Sequence, residues 1–200
     1  MYKLEMVLSK ANLLAGNDEK SNFFKTSASK RWHAILAYCW NDELGFFTDY
    51  NWVNKSVVNH ISAAGLMPLF VAEADDNFIQ QHLKEIVDVV NESLLKPGGI
   101  VTTPITSGQQ WDAPNGWAPL QWIAVKGMEK FGEKELAKTI AISWTSLNDK
   151  VFQATGKMME KYDVMDIGKL AGGGEYESQD GFGWTNGVAL ALHGWLQQVG

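Results

Sequence analysis

The chain is poor in cysteine, in proline, in positive charge and in long apolar runs, and each scarcity excludes something. One cysteine, Cys39, cannot form an internal disulfide. It sits in the helical-looking run Arg31 to Trp40 with no paired histidine motif nearby, and reads as a small buried apolar side chain rather than a catalytic thiol. Lys and Arg number 17 against 23 Asp and Glu, a formal net charge of −6. Phosphate binding rests on clustered Lys and Arg, so this balance argues against a nucleic-acid partner. No run approaches the roughly 18 apolar residues of a membrane span, so no membrane partner is expected. Glu5 and Lys10 would interrupt the apolar part of a secretory leader, and as it stands the chain reads as cytoplasmic. His33, His60, His82 and His193 are scattered, with no His-Glu-x-x-His or Cys-x-x-Cys pair and no Gly-x-Ser-x-Gly. Neither a metal nor another cofactor is expected, and each histidine is accounted for by a nearby hydrogen-bond partner.

What is present is apolar, aromatic and helical. At 200 residues and 46% hydrophobic content, the chain can bury a sizeable core, as one domain or a large part of one. Leu4, Val7, Leu8, Ala11 and Leu14 recur at the period of a one-face helix over Tyr2 to Ala15, stopped by Gly16-Asn17-Asp18. Ser21 is a candidate cap for a second helix reaching Trp40. Phe46 to Trp52 reads as a short strand or hairpin. Gly65 and Pro68 predict a kink or irregular turn within Ile61 to Ala72. Asp75 and Asp76 are candidate caps for a helix to about Leu95, ended by Lys96-Pro97-Gly98-Gly99. Further helices are predicted at about Pro119 to Phe131, Glu133 to Met159 and Trp184 to Gln198. With almost no strand pattern and no linker or repeat, this is an all-α architecture whose loops carry the chemistry.

The stretch Gly108 to Pro119 stands apart: Gly-Gln-Gln-Trp-Asp-Ala-Pro-Asn-Gly-Trp-Ala-Pro. Pro114, Asn115 and Gly116 force a tight turn. The indoles of Trp111 and Trp117 stand beside Gln110, Asp112 and Asn115, which suits a sugar with C–H groups on its faces and hydroxyls around its rim. The alternative is a loop whose tryptophans fill the core beneath it. Gln110 to Pro119 also resembles, at every fixed position, the Gln-Trp-Asp-x-Pro-x-Gly-Trp-x-Pro signature of the trehalases, glycosidases that hydrolyse α,α-trehalose to two glucoses. The resemblance continues at Glu160 to Val164, at Gly172-Gly173-Gly174-Glu175-Tyr176 and at Asp180 to Gly187. It extends over essentially all of residues 1–200 but not over a whole family protein. It implies part of an (α/α)₆ toroid, roughly the C-terminal half of the barrel. It also implies a reading frame that begins inside the parent domain, so a separate N-terminal fragment or self-association is the partner expected besides trehalose or glucose.

The resemblance further implies roles. Trehalases are similar to inverting glycosidases, which place an acid and a base on opposite faces of the sugar. The family's acid is an Asp in a Gly-Trp-Asp segment of the first half of the barrel, and no Gly-Trp-Asp occurs in this chain. The family's base matches Glu160. Read locally, Glu160 falls at the predicted C-terminus of a long helix, where the macrodipole disfavours a negative charge and Lys157 and Lys161 would compensate; a solvated helix-end glutamate is the alternative. Glu175 follows three glycines that admit a ligand close to the backbone, and by resemblance it binds glucose hydroxyls, with Phe182 and Trp184 in a lid above it. Gln110, Trp111, Asp112, Asn115 and Trp117 complete the implied pocket. An enzyme completed by an upstream half, and a non-catalytic remnant or sugar-binding module, are the two functional expectations.

Overall fold

The structure, a computed structural model, describes residues 1–170, 175–176 and 178–199. Helices α1 (Tyr2–Leu14) and α2 (Asp18–Cys39) pack along each other as a hairpin. The cap of α2 is Asn17, whose side chain accepts from Lys20 N at 3.1 Å. Ser21, the expected cap, lies inside α2 and meets Ser9 Oγ at 3.3 Å. The expected apolar face of α1 is also reversed. Tyr2, Glu5 and Ser9 are buried, whereas Leu4, Val7 and Leu14 are 50%, 54% and 80% exposed. The reason is what α2 offers: Arg31 clasps Glu5 through bonds of 2.9 and 2.7 Å. Periodicity marks the helix, while the partner decides which face is covered.

Two small antiparallel ladders follow, β1 (Trp40–Asn41) with β2 (Phe46–Phe47) and β3 (Tyr50–Asn51) with β4 (Ser56–Val57). The expected break near Gly65 and Pro68 is a 3₁₀ turn, Ala63–Leu66, leading into the short α3 (Met67–Val71). Asp76 caps α4 (Asn77–Val89) by accepting from Ile79 N at 3.0 Å, and its other oxygen accepts from Trp32 Nε1 at 2.8 Å. A π turn, Val90–Leu94, carries the chain into β5 (Leu95–Lys96), which pairs with β6 (Gly99–Ile100). Strand β7 (Asn115–Trp117) then leads directly into α5 (Ala118–Lys130) and α6 (Lys134–Thr155). Strand β8 (Lys161–Asp163) and α7 (Gly183–Val199) complete the order.

The chain is all-α in class, 59% helical, with seven α-helices among the described residues. Its core lies between α3 to α7, where Leu66, Leu69, Ile86, Met128, Ile140, Trp144 and Leu192 have no exposed surface. Helix α6 ends earlier than its periodicity implied. Gly156 adopts a left-handed φ of 70° just past Thr155, a conformation glycine enters without strain. The residues after it are thereby released from the helix and turn back, so Glu160 lies at the edge of β8 rather than on a helix end.

Candidate active site

Strand β7 is the second half of the aromatic turn, and β8 is the strand that follows Glu160. They pair antiparallel, Asn115 with Asp163, Gly116 with Tyr162 and Trp117 with Lys161. This ladder brings together two segments that lie on either side of α5 and α6. Bonds from Val164 N to Pro114 O at 3.0 Å and from Gly98 N to Val164 O at 2.9 Å extend it towards β6. Gln121 of α5 secures that layer, exchanging two 2.7 Å bonds with the backbone of Ile100. Gly116 lies where no side chain fits, since a Cβ there would stand 2.4 Å from Val164 Cγ1 and 3.0 Å from Ile100 O.

On this scaffold the aromatic residues converge. Trp111 stacks on Trp117 at 4.1 Å with planes 5° apart, and Trp184 meets Trp117 edge-on at 5.7 Å. Phe182 packs on Trp184 at 5.4 Å. Trp117 is buried, Trp111 is half exposed, and the pair presents a flat apolar face. Asn115 Nδ2 and Trp117 Nε1 both donate to Gln110 O, at 3.1 and 3.2 Å, folding the turn back on itself. Asp112 is turned towards the loop: its Oδ2 accepts from Ser107 N at 2.6 Å and Ser107 Oγ at 2.5 Å. Burial pushes this carboxyl up, but the Ser107 hydroxyl and the backbone amides of Ser107, Gln109 and Gly108 outweigh it and hold Asp112 below the usual aspartate range.

Glu160 is buried at the margin of this aromatic face, its backbone fixed from three directions. Its N–H donates to Gln179 O at 2.7 Å, its carbonyl accepts from Trp184 Nε1 at 3.3 Å, and Thr185 Oγ1 donates to the preceding Met159 carbonyl at 2.7 Å. Its Oε1 accepts from Tyr176 OH at 3.1 Å. Its Oε2 accepts no hydrogen bond and lies 3.5 Å from Lys161 Nζ. Gln110 Oε1, also buried, likewise has no donor. Asp112 Oδ1, in the same turn, is likewise buried without a hydrogen-bond donor.

The sequence model of the family described as Trehalase matches residues 1–198. The chain belongs to the trehalase family. Periplasmic trehalases of Escherichia coli are 42% identical over 192 residues, which are 96% of this chain and 33% of each relative. This chain therefore spans about a third of the length of those trehalases. The neutral trehalase of Saccharomyces cerevisiae superimposes with a TM-score of 0.78 at 27% identity, covering 97% of this chain and 36% of that one. A mannosylglycerate hydrolase from Thermus thermophilus, solved with glucose, shares the fold at a TM-score of 0.68 and 20% identity, covering 96% and 44% of the two chains. These trehalase and hydrolase neighbours are (α/α)₆ toroids, and this chain matches part of one.

Within this trehalase-family fold, Gln110, Trp111, Asn115, Trp117, Glu160, Phe182 and Trp184 form one cluster. Glu175 is exposed and acts on the cluster through its charge, which contributes to raising the neighbouring Tyr176 phenol. The glycine run Gly172 to Gly174 lies outside the described residues. Of the two lysines expected to compensate Glu160, Lys161 does face it, at 3.5 Å, whereas Lys157 pairs with Asp180; the contact of Tyr176 with Glu160 and the full burial of Lys161 escaped the sequence reading. Tyr176 stands next to Glu175 in the matching motif, and Lys161 breaks a four-residue stretch, Lys161 to Val164, that is buried throughout. Buried lysine was the available signal, but it shows only once the segment is known to be a strand. No helix among the described residues is long and apolar enough to cross a membrane.

Proposed function

We propose that this chain is the C-terminal portion of a trehalase-like catalytic toroid, residues 1–200, which hydrolyses α,α-trehalose to two glucoses with inversion. Glu160 is the general base and Gln110, Trp111, Asn115, Trp117, Phe182 and Trp184 line the sugar site, with the buried Asp112 behind it and Glu175 at its rim. The observation that supports this reading is the placing of Glu160 against the stacked Trp111 and Trp117, through the bond from Trp184 Nε1 to the Glu160 carbonyl and the edge-on contact of Trp184 with Trp117. Sugar hydroxyls and an attacking water are donors, and pyranose faces lie flat on indoles. In the hydrolysis Glu160 takes a proton from water as its oxygen bonds to the anomeric carbon. The departing glucose oxygen is protonated by an acid that the other part of the toroid supplies, since no Gly-Trp-Asp occurs in this sequence.

Protonation of the leaving group contributes about 10²–10⁴-fold in rate, so the chain alone binds sugar but releases little glucose. Titration of trehalose against the emission of Trp111, Trp117 and Trp184 tests binding, and a coupled glucose assay tests turnover. Saturable quenching with turnover far below roughly 1 s⁻¹ is the expected result, and no response to trehalose would remove the sugar site. The absent acid also favours a second reading, a sugar-binding module or remnant without catalysis. Supplying the missing part of the toroid discriminates the two, because only the first reading predicts that glucose release then appears.

A further inference from the structure

Lys161 has no exposed surface, which is rare for a lysine and costly unless its charge is compensated. Its Nζ lies 3.5 Å from Glu160 Oε2, donates to Tyr176 O at 3.3 Å and sits 4.1 Å from the centre of the Tyr176 ring. The Trp117 ring, opposite Lys161 in the ladder, is 5.9 Å away. The compensation therefore comes from one carboxylate, one tyrosine and one indole of the sugar site. The same Tyr176 gives its hydroxyl to Glu160 Oε1 at 3.1 Å, and its carbonyl accepts from Gln110 Nε2 at 3.5 Å. The neighbouring lysines are engaged elsewhere, Lys157 with Asp180 and Lys169 with Asp163 at 2.9 Å.

We propose that Lys161 and Tyr176 are positioning residues that clamp Glu160 from two sides, Tyr176 holding Oε1 and Lys161 facing Oε2, so that the carboxylate is fixed in one orientation. The clamp rests on the assignment of Glu160 as the base and adds to it what fixes the side chain. A carboxylate free to rotate would exchange its two oxygens and lose the alignment that general-base catalysis needs. Lys161 cannot leave without breaking a strand register, and Tyr176 cannot leave without uncovering the ammonium. Each member thus holds the other two.

The cluster has a spectroscopic signature. Burial pushes the Lys161 ammonium below the ordinary lysine range, and Glu160 draws it part of the way back. Burial, followed by the hydrogen bond and charge of Glu160 and then the charge of Glu175, pushes the Tyr176 phenol up. The test is NMR titration of the chain carrying ¹³C-labelled lysine, tyrosine and glutamate, without sugar. In the wild type Lys161 titrates below ordinary lysine and Tyr176 above ordinary tyrosine. In Glu160→Gln both midpoints fall, Lys161 because its counter-charge is gone and Tyr176 because the hydrogen bond and charge of Glu160 no longer add to burial and Glu175 in resisting phenolate formation. Unfolding would instead bring Lys161 up to the ordinary value, so the two effects differ in sign. Tyr176→Phe keeps the ring over Lys161 and removes only the hydroxyl, so it should displace the Glu160 carboxylate resonance while Lys161 stays low. A wild-type Lys161 that titrates as a free lysine, a Lys161 or Tyr176 midpoint indifferent to Glu160→Gln, or a Glu160 resonance indifferent to Tyr176→Phe overturns the clamp. These outcomes are independent of trehalose binding, so loss of the sugar site and loss of the clamp are told apart.

Discussion

At Glu160 the decisive detail is the inequality of its two oxygens, one hydrogen-bonded to Tyr176 and the other facing the Lys161 ammonium. With the rest of the toroid supplied, Glu160→Ala should lower kcat by about 10²–10⁴-fold while directly measured trehalose affinity changes little, because the base is lost and the sugar contacts remain. Azide should then restore turnover and give the β-glucosyl azide, since a small anion enters from the side of the water. Unaltered kcat in Glu160→Ala would remove the base assignment. Asp112 makes a different prediction. Its carboxyl is lowered in the folded state, so its contribution to stability is present above the ordinary aspartate value near 3.8 and is lost as pH falls through its lower folded value. Ser107→Ala removes one of the bonds responsible. The Asp112 carboxyl resonance should therefore titrate higher in that variant, and denaturant unfolding should show a loss of about 1–2 kcal/mol.

Among the elements, the β7–β8 ladder is the one on which the site depends, and Gly116 is its least tolerant position. Gly116→Ala forces Val164 or the Ile100 carbonyl to move, which should cost about 1–3 kcal/mol by denaturant titration and perturb the Trp111–Trp117 stack in near-ultraviolet circular dichroism. This ladder was not legible in the sequence. Lys161 to Val164 shows no alternation because both of its faces are covered, so a strand there has no period to read. The helices were legible for the opposite reason: Ile79, Leu83 and Ile86 on α4, and Leu136, Ile140, Trp144 and Leu147 on α6, repeat at helical spacing, and Asp76 caps α4 as its side-chain chemistry suggests. Where α6 stops was misread because apolar spacing says nothing of Gly156, which ends the helix through its backbone. The face of α1 was misread because amphipathicity names a helix and not its neighbour. The aromatic turn was legible as a unit from composition alone, whereas the contacts of Tyr176 with Glu160 and of Lys161 with Trp117 depend on chain segments brought together only by the fold.

The whole molecule carries its apolar surface unevenly. Leu4, Val7, Leu13 and Leu14 of α1 and Phe23 of α2 are each exposed, and Leu190 of α7 is 77% exposed. A chain that spans about a third of its relatives' length and leaves such faces bare should bind an apolar dye or self-associate. Fluorescence with such a dye and sedimentation at several concentrations check this; a dye-silent monomer at all of them would oppose the part-toroid reading. Far-ultraviolet circular dichroism of the same samples should remain mainly helical. The ladder that joins Asn115 to Asp163 has one more consequence, which concerns time. All of α5 and α6 lies between its two strands, so on a growing chain the aromatic turn emerges well before its partner exists. Closing so long a loop has an entropic cost that no local contact offsets in advance, which puts assembly of the aromatic cluster after the helices in the order of folding. Stopped-flow refolding should accordingly show helical ellipticity returning ahead of the near-ultraviolet signal from the stacked tryptophans.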